Sequence, residues 1–191
     1  PPNPPPGAGT NRRIDGKRLW DTLMGYAQIG ATAKGGVRRL ALSDVDKRAR
    51  DKFRADCEAL GLAVRVDAIG NMFARRPGRD PSRAPVLLGS HLDSQPSGGK
   101  FDGALGVLAG LEVLRTLNDH GVKTRAPLEV AFWTNEEGTR FTPVMMGSGA
   151  FAGVFAPDFI RGQRDGDGLS VGEELQRIGY RGDVACGDVP G

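Results

Sequence analysis

The sequence predicts an α/β fold, a mixed sheet with helices on both faces. Short apolar runs of period two alternate along the chain with longer stretches of helical spacing, which is the signature of strands and helices sharing one core. Two of the strand-like runs end abruptly in ionisable residues, at His91 and at Glu136-Glu137. In open α/β sheets that end of a strand faces the ligand crevice, so both clusters are expected at one edge.

The elements follow in order. IDGKRLWDTLMGYAQIG sets Leu19, Trp20, Leu23, Met24 and Ala27 near helical spacing, an amphipathic helix. A glycine-bearing loop, ATAKGGVRRLAL, leads to Ser43, an N-cap for a helix over 44–60. Asp44 and Asp46 suit its first turn, and Gly61 stops it. LAVRVDA and MFARR alternate as a strand pair turning at Gly70-Asn71. APVLLGS is a further strand, ending at His91. From Gly103 a long apolar helix, ALGVLAGLEVLRTLNDHG, closes at Gly121. PLEVAFWTNEEG is strand-like as far as Thr134, and GSGAFAGVF and VGEELQRIG read as helices.

Bulk properties narrow the class. With 191 residues, 39% hydrophobic and 26% charged, the chain fits one globular domain. The net charge of +3 is mild, and in SDVDKRARDKFRADCEAL bases alternate with acids without aromatic interleaving. That reads as a solvated helix face, not a nucleic-acid stripe. Cys57 and Cys186 form no CxxC or Cys/His cluster, so a reduced, cytoplasmic chain is the simpler expectation, with one disulfide left open. No apolar run approaches the ~18 residues of a membrane span. The opening PPNPPPGAGTN reads as a disordered proline-rich tail over residues 1–12.

The chemistry concentrates in GSHLDSQPSGGKFDGALG. His91 and Asp93 stand two apart on an extended backbone, so the Asp93 carboxylate can reach one ring nitrogen and leave the other for a metal. Asp102 follows a glycine-rich turn able to bring its carboxylate back beside His91. Glu136 and Glu137 point apart, so one can bind metal while the other acts as a base, the division of labour that metal-assisted hydrolysis needs. Alone, an HxD or a Glu-Glu pair fits a solvated loop; following hydrophobic strands, unpaired charges there would be costly. Ser90-His91-Asp93 has the letters of a serine triad, but neighbours on one strand cannot adopt its geometry. GSGAFAG resembles a dinucleotide fingerprint but no strand leads into it.

GSHLDSQPSGGKFDGALGVLAGLEVL, WTNEEGTRF and MMGSGAFAG together closely resemble the dinuclear metal amidohydrolases that cleave N-carbamoyl-L-amino acids, with allantoate amidohydrolase and β-ureidopropionase as relatives among zinc exopeptidases. The resemblance implies a zinc-exopeptidase-like catalytic domain of which residues 13–191 are the N-terminal part, with the dimerisation domain absent. It implies two divalent metal ions (zinc, or manganese, cobalt or nickel) that activate a water. His91 would bind one ion, Asp102 bridge both, Glu137 bind the second, Glu136 serve as general base and Asp93 orient His91. A strained cis peptide is implied at Asp102-Gly103. Two further histidine ligands are expected outside these residues, and His120 matches neither; it is assigned to helix-end electrostatics. The expected substrate is a small molecule, an N-carbamoyl amino acid or another ureide, and the full-length protein is expected to be a homodimer that engages neither nucleic acid nor membrane. FDGALGV after the bridging aspartate, where peptidases carry a lysine-glycine pair, favours the carbamoylase branch over an exopeptidase. With three ligand residues divided between two ions, the 191 residues alone are expected to be an inactive, non-catalytic fragment.

Overall fold

The computed structural model describes residues 12–188, so the tail expected over 1–12 lies, except for Arg12, outside the described residues. Four strands form one mixed sheet in the order β1-β2-β4-β3: β1 Ala63–Val66, β2 Met72–Arg76, β3 Val86–His91 and β4 Leu128–Trp133. β1, β2 and β4 pair antiparallel, and β3 joins β4 in parallel with His91 opposite Trp133. Between β3 and β4 runs helix α3, Ala104–Asp119, in the crossover that a parallel pair requires.

One face of the sheet carries most of the core. Val130 and Leu88 lie against Gly110 of α3, and Phe132 meets Phe53 of helix α2, Asp44–Glu58, edge-on at 5.9 Å. Helix α1, Gly16–Ala27, buries Leu23, Tyr26 and Ala27, packs on α3 and pairs Arg18 with the buried Glu112, while Tyr26 donates to Asp56 of α2. On the opposite face helix α4, Met146–Phe151, sets Phe151 against Phe73 and Trp133. Farther along that face Glu129 is buried beneath Arg65 and Arg75. Helices α5, Pro157–Gly162, and α6, Val171–Arg177, complete the chain; α6 carries a capping box between Ser170 and Glu173.

Local chemistry explains the boundaries. Asp15 caps α1 by accepting from Arg18 N, and Ser43 caps α2 by accepting from Asp46 N. The β1–β2 turn is closed by Asp67, whose Oδ1 accepts from the amides of Ile69 and Asn71.

Three expectations need correcting. Trp20 is 54% exposed, because it lies outside the buried stripe of Leu23, Tyr26 and Ala27; it tilts against Phe101 instead. The α2 charge run is not wholly solvated: Asp46 and Arg50 are buried, and Arg50 donates to Asp46, Gly70 O and Thr134 Oγ1 while lying over Phe132 and Tyr180. Third, the only cis peptide among the described residues precedes Pro143, so Asp102-Gly103 is trans. The chain reverses there through a γ-turn instead, with Gly103 at φ 61°, ψ −49° and Ala104 N donating to Asp102 O.

Candidate active site

Because β3 and β4 are parallel and in register, their C-terminal ends open on the same edge, and the expected residues converge there. The ligand atoms of His91, Asp102 and Glu137 all lie within 4.8 Å of one another. His91 Nε2 is 3.3 Å from Glu136 Oε2 and 3.8 Å from Asp102 Oδ1.

The His91 ring is held from below. Its Nδ1 faces the backbone carbonyl of Asp93 at 3.0 Å. A carbonyl only accepts, so Nδ1 donates to it and Nε2 is the nitrogen turned toward the site. Here the structure departs from expectation, since the Asp93 carboxylate stands 3.7 Å from Nδ1. That carboxylate is engaged elsewhere: Oδ1 accepts from Glu136 N and Oδ2 from Glu137 N, both at 3.2 Å. Asp93 therefore ties the end of β3 to the glutamate turn after β4. Burial pushes its carboxyl above the usual carboxylate range, with the nearby Asp46 charge adding to the rise, while His91 and the two amides pull it down.

The glutamate turn is fixed by residues that sequence reasoning passed over. Asn71 accepts from Thr134 N through Oδ1 and donates through Nδ2 to Asp67 and to Gly147 O. A Cβ on Gly147 would stand 2.2 Å from that Asn71 oxygen, so only glycine lets α4 approach. Asn135 takes a left-handed φ of 51° and donates to the carbonyls of Phe141 and Pro143. Met145 N then donates to Glu136 O at 2.7 Å. On the other side the buried Arg39 donates to Leu92 O, Tyr26 O and Ile29 O, stitching α1 to the segment that carries His91. In the sequence Asn71 signals only a turn, and Asn135 and Arg39 carry no periodic signal at all.

The two glutamates differ in their surroundings. Glu136 is about one-third exposed and points its carboxylate at His91. Glu137 has one oxygen, Oε1, that is buried without a hydrogen-bond partner. Asp102 is two-thirds exposed on its turn. His120 is the exposed C-cap residue of α3, outside this cluster.

These residues fit a divalent cation. One imidazole and two carboxylates match the donors that zinc, manganese, cobalt and nickel accept, and three protein ligands leave a position open for substrate or water. The orphaned Glu137 Oε1 lacks only an electropositive partner. Gly103 keeps the approach clear, since a Cβ there would lie 2.5 Å from His91 Nε2.

Comparison with known proteins finds similarity along nearly the whole chain. A model of peptidase family M28 matches residues 71–165. The N-carbamoyl-L-amino-acid amidohydrolase of Rhizobium meliloti is 52% identical over 179 residues, covering 94% of this chain and 43% of that protein. Its counterpart from Geobacillus stearothermophilus is 45% identical over 87% of this chain and 40% of its own length. The crystal structure of a hydantoinase/carbamoylase family amidase from Burkholderia multivorans superposes with a TM-score of 0.93 at 58% identity, over 94% of this chain and 44% of that one. The chain thus spans well under half the length of the relatives it matches. No helix among the described residues is long and apolar enough to cross a membrane. Over nearly all of its length the chain is similar in sequence and fold to the hydantoinase/carbamoylase family of amidohydrolases.

Proposed function

We propose that residues 13–191 form the N-terminal part of the catalytic domain of a metal-dependent hydrolase of linear amides. Its substrates are N-carbamoyl-L-amino acids, which one water converts to amino acid, carbon dioxide and ammonia. The observation that carries this reading is the trio of His91, Asp102 and Glu137 donors gathered within 4.8 Å at the strand ends, with a buried, unpartnered oxygen on Glu137. His91 would hold one metal ion, Glu137 the second and Asp102 would serve both, the remaining donors coming from outside this trio; dimerisation belongs to the whole protein.

A divalent ion in this place supplies Lewis-acid polarisation and acidifies water. The protein's own groups do the rest. Glu136, the more exposed glutamate, accepts the proton of the attacking water and returns it to the departing amine nitrogen. The Asp93 carbonyl holds the His91 ring with Nε2 turned toward the site, and its carboxylate keeps both glutamates in register with the ring.

The test is a hydrolysis panel on the full-length protein, metal-loaded and chelated, with N-carbamoyl-L-amino acids, allantoate and dipeptides. Metal-dependent release of amino acid and ammonia from the carbamoyl compounds is expected. Preferential cleavage of dipeptides, or turnover unaffected by chelation, overturns the proposal.

A further inference from the structure

We infer that Gln95 is a positioning residue that selects which oxygen of Glu137 meets the cation and thereby sets the affinity of the site. The inference rests on the metal-binding reading above.

Gln95 Nε2 donates to Glu137 Oε2 at 2.5 Å, across 42 residues of sequence. The other oxygen, Oε1, is buried and has no protein partner. The carboxylate is thus divided: one oxygen is occupied by an amide and the other is left for a ligand. Its backbone cannot compensate by swinging, because Glu137 N is already held by Asp93 Oδ2.

Gln95 is itself exposed, yet its backbone is fixed on both sides. Ser94, buried beside it, donates through N to Arg39 O and accepts from Arg39 N through Oγ, both at 2.9 Å. Three residues on, Gly98 and Val37 exchange two backbone hydrogen bonds at 3.0 Å. A Cβ on Gly98 would stand 2.9 Å from Ser94 Cβ, so this turn closes tightly only with glycine. From this fixed base the side chain extends to Glu137.

The chemistry of the donor matters as much as its position. A lysine or arginine at 95 would neutralise Glu137 and compete with a cation for the same charge. An amide orients the carboxylate and leaves its full negative charge for the ion, which is what a supporting residue around a metal ligand requires. Losing such a partner costs roughly 10–100-fold in metal affinity.

The experiment compares Gln95→Met with the unaltered sequence, both in the full-length protein. Methionine keeps the length of the side chain and removes the donor. Zinc affinity is measured by competition with a chromophoric chelator, and the stability of the metal-free protein by urea unfolding. The expected result is zinc binding weakened about 10–100-fold with an unchanged metal-free unfolding midpoint. A Gln28→Met control, on the exposed end of α1, leaves both unchanged. Zinc affinity of Gln95→Met within about twofold of the unaltered protein overturns the inference and leaves the metal site standing, since supporting residues are worth far more than that. A fall in affinity matched by an equal loss of metal-free stability also overturns it, because Gln95 then acts on the fold. Failure of the unaltered protein to bind zinc is the distinct result that removes the proposed function, and the inference with it.

Discussion

Gly103→Ala puts the joint between the two halves of the site under direct test. Gly103 sits at φ 61°, ψ −49° in the γ-turn that returns Asp102 toward His91. An added Cβ would lie 2.5 Å from three atoms of His91: Cε1, Nε2 and the carbonyl oxygen. Left-handed backbone costs an L-residue about 1–2 kcal/mol, and forcing a methyl into a packed place costs about 1–3 kcal/mol. Together these give about 2–5 kcal/mol of destabilisation. Relief requires the imidazole or the turn to move, so the metal donors must separate as well. Urea unfolding of the metal-free variant, followed by Trp133 fluorescence, reads the first effect; zinc competition with a chelator reads the second, expected as a loss of at least about tenfold. The two must move together, because one methyl causes both. A variant within about 0.5 kcal/mol of the unaltered protein, the range of an ordinary surface change, and with unaltered zinc affinity would refute the packing argument.

Three further outcomes follow from other parts of the structure. In the full-length protein, Glu136→Gln is expected to abolish turnover while zinc binding stays within a fewfold; loss of zinc instead would mean that the two glutamates have exchanged roles. Arg50→Met strands the buried Asp46 carboxylate and should cost about 3–5 kcal/mol in urea unfolding, whereas pairing it with Asp46→Leu should recover part of that loss. Hydrogen bonding from Arg177 holds the Glu174 carboxyl below its ordinary 4.5 against the opposing effect of burial, with Arg140 assisting. A depressed folded-state value means stability that is present above the unfolded value and lost as pH falls through the folded one. Melting temperature should therefore drop on acidification below about pH 4.5, and Arg177→Ala should show a smaller drop.

How much was legible in advance depended on whether a signal was local. The strand ending at His91, the strand before the glutamates and the long helix between them announce themselves through apolar periodicity, and the ionisable residues stand out because they interrupt it. Ser43 and Gly61 likewise carry their meaning in their immediate neighbours. The order of strands in the sheet was not stated by periodicity, since pairing is decided between distant segments. The inward turn of Asp46 and Arg50 was hidden for the same reason: their partners Gly70 and Thr134 lie 20 and 84 residues from Arg50. Helix α5 is only 6 residues long and begins at a proline, too short to show a period. At the site, residue identities were readable but atomic duties were not. Which atoms of Asp93 face His91 and which face Glu136 and Glu137 is settled by how the segment after β3 turns. The trans peptide at Asp102-Gly103 shows the same limit, because a chain reversal has more than one backbone solution.

The two hydrogen bonds from the glutamate amides to Asp93 have a consequence for how the protein lives without its ion. In domains whose fold is nucleated by a metal, the ligands have no fixed positions until the ion arrives, and a chelator unfolds the protein. Here the strand ends are already tied to each other by protein groups alone, through Asp93, Asn71 and Arg39. The ordering entropy of His91 and Glu137 is spent during folding, so an arriving ion meets a prepared seat and gives its binding energy to affinity instead of to structure. Ion loss and chain unfolding then become separate events, and the emptied protein can wait, folded, to be reloaded.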